Sequence, residues 1–173
     1  LVEKEKYFII NRPRQYGKTT ILLALENNLK DEYLFISISF EGIGNVVFST
    51  EREFCRKFIE LIEINLEYSN ENLNKKLLDL SKNIDDFVSL SRTISSFIKE
   101  IDKEVILIID EVDKSSDNQM FLDFLGMLRN KYLERERGRG VTFKSVILAG
   151  VYDIKNLKLK LRPDEERKYN SPW

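Results

Sequence analysis

The chain has 173 residues, a formal net charge of −1 and no histidine. That length accommodates one domain with a sizeable core. The near-neutral balance gives no global basic field for holding nucleic acid. Without histidine, any general base is a carboxylate, and a His-ligated metal site is excluded. The single cysteine, Cys55, cannot form an internal disulfide and falls among apolar helix positions, which predicts a buried thiol. No apolar run reaches membrane length, so a soluble cytoplasmic protein is expected. The chain stops in mid-pattern at Tyr169–Trp173, and the expectation is that 1–173 is one domain of a longer protein.

In chain order, Glu3–Lys6 is a charged lead-in and Tyr7–Ile10 a short apolar strand. A polar loop follows and ends in Gly17-Lys18-Thr19-Thr20. Ile21, Leu22, Leu25 and Leu29 then have helical spacing. Tyr33–Phe40 alternates towards its end and reads as a second strand, and Glu41–Asn45 is a glycine-containing loop. Ser49 or Thr50 is placed to cap a long helix with Phe54, Phe58, Leu61 and Ile62 inward. The Asn-rich segment Tyr68–Asn74 breaks it, and Lys75–Leu80 forms a short helix. Asp85 or Asp86 caps another, with Phe87, Leu90, Ile94, Phe97, Ile98 and Ile101 on one face. The stretch 49–102 is longer than one crossover needs, so two or three helices are expected to cover one sheet face.

Val105–Ile109 is five consecutive β-branched or leucine residues, the pattern of a strand buried on both faces in a parallel sheet. Lys114–Asn118 is a polar loop, and Met120–Glu136 is helical with Phe121, Phe124, Leu125, Leu128 and Tyr132 inward. Gly138-Arg139-Gly140 ends that helix. Phe143–Ala149 is a fourth strand, and the tail Lys155–Lys168 is too charged to belong to a core. A fifth strand beside the first is expected beyond Trp173.

The order strand, polar loop, Gly-Lys-Thr, helix is that of a phosphate-binding P-loop. Backbone N–H groups of such a loop and of the helix start point at an anion. Gly17 lets the backbone approach and turn without a Cβ. Lys18, at an exposed helix start, carries a mobile charge for the β- and γ-phosphates, and the Thr19 hydroxyl is placed to ligate Mg²⁺. The general pattern wants a glycine five residues before Gly17, where Arg12 stands; a basic turn capping a helix is the alternative. The strand Val105–Ile109 ends in Asp110, Glu111 and Asp113. A carboxylate at the carboxyl end of a central strand lies beside the phosphate loop in doubly wound sheets. Asp110 would hold Mg²⁺, and Glu111 would polarise the attacking water.

Together, Arg12-Pro13-Arg14-Gln15-Tyr16-Gly17-Lys18-Thr19 and Leu107-Ile108-Ile109-Asp110-Glu111-Val112-Asp113 resemble the prokaryotic AAA-ATPase-like family. Its members read R-P-R-[QR]-[FY]-G-K-[ST] in place of the glycine-led loop, so Arg12 agrees with the family. The resemblance runs from about Lys6 to Asp153. It implies a P-loop NTPase fold of the α/β class, a parallel sheet with helices on both faces, in which the fourth strand separates the P-loop strand from the acidic one. It implies a nucleotide-binding segment of Arg12, Pro13, Arg14, Gln15, Tyr16, Gly17, Lys18, Thr19 and Thr20, with Thr19 and Asp110 on the metal. ATP as substrate follows from the resemblance, not from the residues. Full-length members often carry a C-terminal nuclease-like domain of the PD-(D/E)XK type, and this chain shows no sign of it.

The alternatives are a nucleotide-gated interaction module with little turnover, self-associating in the full-length protein, and the ATPase part of a nucleic-acid-processing protein. Two features favour slow turnover. The fourth strand ends Ala149-Gly150-Val151-Tyr152-Asp153, without the Asn or Thr that often places water there, and no helical lid is evident. The charge run Arg129, Lys131, Arg135, Arg137 and Arg139 has two readings: contacts to phosphates of DNA or of a neighbouring subunit's nucleotide, or, since Glu134 and Glu136 are interleaved, a solvated helix end with local ion pairs, which the interleaving favours. Arg137, Arg139 and Arg162 are the available arginine fingers.

Overall fold

The computed structural model describes residues 2, 6–11, 17–112 and 118–150. Its elements are β1 (Phe8–Asn11), α1 (Lys18–Leu29), β2 (Tyr33–Ser39), a 3₁₀ turn (Asn45–Phe48), α2 (Glu51–Ser69), α3 (Glu71–Leu80), α4 (Phe87–Lys99), β3 (Glu104–Asp110), α5 (Gln119–Glu136) and β4 (Ser145–Gly150). The four strands are all parallel, in the order β1-β4-β3-β2. β4 therefore separates β1 from β3, as the family resemblance implies.

Alternation along the central strands explains their unbroken apolar sequence. Val105, Leu107 and Ile109 of β3 enter one core, and Ile106 and Ile108 enter the other. Val146 and Leu148 of β4 divide from Ile147 and Ala149 in the same way. With helices on both faces, neither side of these strands meets water, so both must be apolar. On one face α1 supplies Leu22, Leu25 and Leu29 against Phe35, Ile106 and Ile147. On the other, the stripes of α2, α3, α4 and α5 merge into one cluster. Its aromatic centre is Phe124, whose ring centroid lies 5.0 Å from Phe54 and 4.8 Å from Phe58. Burying a side chain of this size contributes roughly 1.5–3 kcal/mol.

The caps follow from local chemistry. Thr50 accepts from Glu53 N at 3.2 Å, and Asp86 with Ser89 forms a reciprocal capping box. The break expected over Tyr68–Asn74 is confined to Asn70. That residue leaves helical geometry and accepts from Leu73 N at 3.1 Å, so α3 begins at Glu71 rather than Lys75. One asparagine suffices because its side chain replaces the lost backbone acceptor. Residues 49–102 thus contribute three helices. β4 starts at Ser145, two residues later than the apolar run suggests. Phe143 is buried, but its carbonyl accepts from the Arg135 side chain. Gly138, at φ +69°, ends the path of α5.

Candidate nucleotide site

Two elements converge at the carboxyl end of the sheet. β1 delivers the chain towards α1, whose first residue is Lys18, and β3 ends at Asp110. Gly17 precedes the helix at φ +71°, and the carbonyl of Gly17 accepts from Ile21 N at 3.0 Å. Among the described residues, a Cβ at Gly17 would meet only Thr20 Cβ, at 4.0 Å. The left-handed backbone is by itself a requirement for glycine here.

Lys18 is turned inward, with its side chain 10 % exposed, which corrects the expectation of an exposed position. Its Nζ lies 2.9 Å from Asp110 Oδ1 and 3.0 Å from Glu111 Oε1. Burial opposes the charge of Lys18, but the hydrogen bonds to Asp110 and Glu111 outweigh it and hold the ammonium above its usual pKa. Asp110 Oδ1 also accepts from Glu111 N, at 2.7 Å. Glu111 has φ +55°, the one positive φ among the described non-glycine residues. Such a conformation costs a glutamate of order 1–2 kcal/mol, and residues of this kind gather at functional sites.

Thr19 and Thr20 occupy the first turn of α1 and are exposed. Asp110, Glu111 and the Thr19 hydroxyl offer hard oxygen donors. Mg²⁺ takes one or two protein carboxylates and completes its octahedron with water and phosphate, so this donor set fits it. Among the described residues no group of three or more His, Cys, Asp or Glu is gathered to hold a metal, so a magnesium ion here would depend on non-protein ligands. Arg12, Pro13, Arg14, Gln15, Tyr16, Asp113, Tyr152, Asp153 and Arg162 lie outside the described residues.

The charge run on α5 divides. Arg137 pairs with Glu134 at 3.4 Å and is exposed, in keeping with a solvated helix end. Lys131 and Arg135 are not solvated. Lys131 is buried and donates to Ser91 O at 2.8 Å and Ser95 Oγ at 2.6 Å. Arg135 donates to Lys144 O at 2.9 Å and covers the rings of Tyr7 and Tyr132. Both are structural cations, hidden in sequence because alternating signs along a helix do not reveal which side chain turns inward. Arg137 and Arg139 follow α5 at the amino end of the strands, where Lys144 N bonds Val105 O. They stand at the opposite end of the sheet from Lys18, so neither serves the site of its own chain.

Among the described residues, no helix is long and apolar enough to cross a membrane. No curated protein matches the chain. The family described as AAA-like domain matches residues 3–152, which covers both the loop–helix junction and the acidic end of β3. With a four-stranded parallel sheet, β4 inserted between β1 and β3, and helices on both faces, the fold is P-loop NTPase-like, and the chain belongs to the AAA-like domain family, a class of nucleotide-binding, ATPase-like domains.

Proposed function

We propose that the chain binds ATP with Mg²⁺ and hydrolyses the β–γ phosphoanhydride, working in the cytoplasm. The observation that carries this reading is the meeting of Lys18 with Asp110 and Glu111. A mobile cation at a helix start and two acids at a strand end are the parts that phosphoryl transfer needs. Lys18 would exchange its carboxylates for the β- and γ-phosphate oxygens. The backbone N–H groups at the start of α1, favoured by the helix dipole, would add donors to the same anion. Residues Arg12–Tyr16 would complete the cradle.

Thr19 and Asp110 would hold the magnesium ion, which would supply positive charge to offset that of the phosphates. Glu111, once released from Lys18, would accept a proton from the water that attacks the γ-phosphorus. The bridging bond to the β-phosphate breaks, and ADP leaves with the bond's electrons. Binding of ATP, GTP and their diphosphates, with and without Mg²⁺, read by thermal shift, tests the nucleotide and its base. Loss of all binding in Lys18→Ala is the expected outcome, and unchanged binding would remove the assignment.

A nucleotide-gated module with slow turnover is the second reading. It is favoured by the end of β4, where Ala149 and Gly150 bring no polar side chain to the site. Single-turnover hydrolysis at saturating ATP separates the two.

A further inference from the structure

Lys18 bonds the candidate metal ligand Asp110 and the neighbouring acid Glu111 at once, and this arrangement has a consequence for the order in which ligands enter. Asp110 Oδ1 is engaged twice, by Lys18 Nζ at 2.9 Å and by Glu111 N at 2.7 Å. Glu111 Oε1 is engaged by the same ammonium at 3.0 Å. The three side chains are 10 % to 22 % exposed, so water screens their charges only partly. A divalent cation approaching these oxygens would meet a positive charge already in place and lone pairs already committed. The side chain of Lys18 is therefore a bound cation with a tether.

We propose that Lys18 is a built-in counter-cation that closes the Asp110–Glu111 pair to divalent metal until phosphate draws the ammonium away, so that metal enters with or after nucleotide and not before it. The trigger rests on the nucleotide-site reading above, whereas the closure itself is a property of the three side chains. The exchange conserves charge in each step. In the free protein two carboxylates face one ammonium. When the ammonium moves to phosphate, the carboxylates are left with an uncompensated charge of the right sign for a metal ion. The left-handed backbone of Glu111 belongs to the closed arrangement: its N–H and its carboxylate are both tied, one to Asp110 and one to Lys18.

The experiment is a titration of nucleotide-free protein with Mn²⁺, with free Mn²⁺ counted by electron paramagnetic resonance. Parent, Lys18→Ala, Lys18→Gln, Lys18→Arg and the triple variant Lys18→Ala/Asp110→Asn/Glu111→Gln are compared. Removing the lysine charge is expected to tighten Mn²⁺ binding by about tenfold or more, equivalent to about 1.4 kcal/mol. Lys18→Arg keeps the charge and should stay near the parent, and the triple variant should lose the gain. Lys18→Gln preserves side-chain volume and carries the test should the alanine variant fail to fold. Equal Mn²⁺ affinity in parent, Ala and Gln variants overturns the proposal, as does a gain that survives in the triple variant. If the parent binds no nucleotide yet Lys18→Ala gains metal, the closure stands and the nucleotide reading falls. If nucleotide binds and no variant gains metal, the reverse holds.

Discussion

Lys131 Nζ donates to Ser95 Oγ at 2.6 Å and has no carboxylate within ion-pair distance among the described residues. It also donates to Ser91 O at 2.8 Å and Ser91 Oγ at 3.3 Å, so all three ammonium hydrogens go to neutral oxygens of α4. A buried cation so placed is satisfied in hydrogen bonds but not in charge.

That imbalance sets a pH dependence. Burial pushes Lys131 from 10.5 down to about 8. A folded-state value below the unfolded one means that the unfolded chain binds more protons between pH 8 and 10.5. Stability from this group is therefore fully present above 10.5 and is lost as pH falls through 8, to the extent of roughly 3 kcal/mol. Cys55 acts oppositely. Burial, with Glu51 and Asp86 nearby, raises its thiol from 9.0 to about 12, so its contribution is lost as pH rises above 9. Urea unfolding is expected to show stability rising from pH 7 to about 9 in the parent, with a flatter profile in Lys131→Met. An unchanged slope in the variant would show that Lys131 is charged at no cost.

Arg135 ties the end of α5 to the start of β4. Its guanidinium donates to the carbonyls of Phe143 and Lys144 and lies 5.8 Å from the Tyr7 ring and 5.3 Å from the Tyr132 ring. Hydrogen bonds to a charged group contribute about 1.5–3 kcal/mol. Arg135→Ala should lower unfolding free energy by about 2–4 kcal/mol, and Arg135→Lys by less, since one ammonium cannot span both carbonyls and cover two rings. Chemical denaturation of the three proteins checks the order; a lysine variant as weak as alanine would leave ring coverage without a role.

The periodic signals were legible in sequence because they report packing that local residues enforce. Val105–Ile109, rich in β-branched residues, reads as a strand covered on both faces, and the stripe from Phe121 to Tyr132 reads as one buried side of a helix. The helix breaks were harder. Asn70 alone separates α2 from α3, since a single side-chain acceptor replaces a helical carbonyl, and the neighbouring asparagines blurred its position. At the site, residue types singled out Lys18, Asp110 and Glu111, and the structure brings these three side chains together. Their bonds to one another depend on a three-dimensional approach across 93 residues that spacing does not encode. The same limit hid the inward turn of Lys131 and Arg135, whose neighbours Ser91 and Phe143 come from other elements.

Gly17 offers a test that separates conformation from contact. At φ +71°, with no described residue closer than Thr20 Cβ at 4.0 Å, an added methyl meets an unfavourable backbone rather than a described neighbour. Gly17→Ala should destabilise by about 1–2 kcal/mol. Gly17→Asn should cost less, because asparagine tolerates the left-handed region. Thermal unfolding of the two variants distinguishes the cases. A larger loss for asparagine than for alanine would point to a steric limit instead.

Glu111 separates binding from turnover. Replacement by glutamine keeps the side-chain length and the backbone N–H bond to Asp110, but removes the charge that meets Lys18 at 3.0 Å. If Glu111 is the base for the attacking water, Glu111→Gln should retain nucleotide and lower single-turnover hydrolysis by roughly 10²–10⁴. Asp110→Asn should instead weaken the Mg²⁺-dependent part of binding, because an amide oxygen is a poorer donor to a hard cation than a carboxylate. Glycine at position 111 supplies the control for the backbone. It adopts φ +55° without strain, so Glu111→Gly should recover some stability while losing turnover like the glutamine variant. Binding isotherms and single-turnover rates for all three variants separate the two roles. Hydrolysis by Glu111→Gln at the parent rate would transfer the base to another carboxylate of the same acidic run, with Asp113 the next to replace.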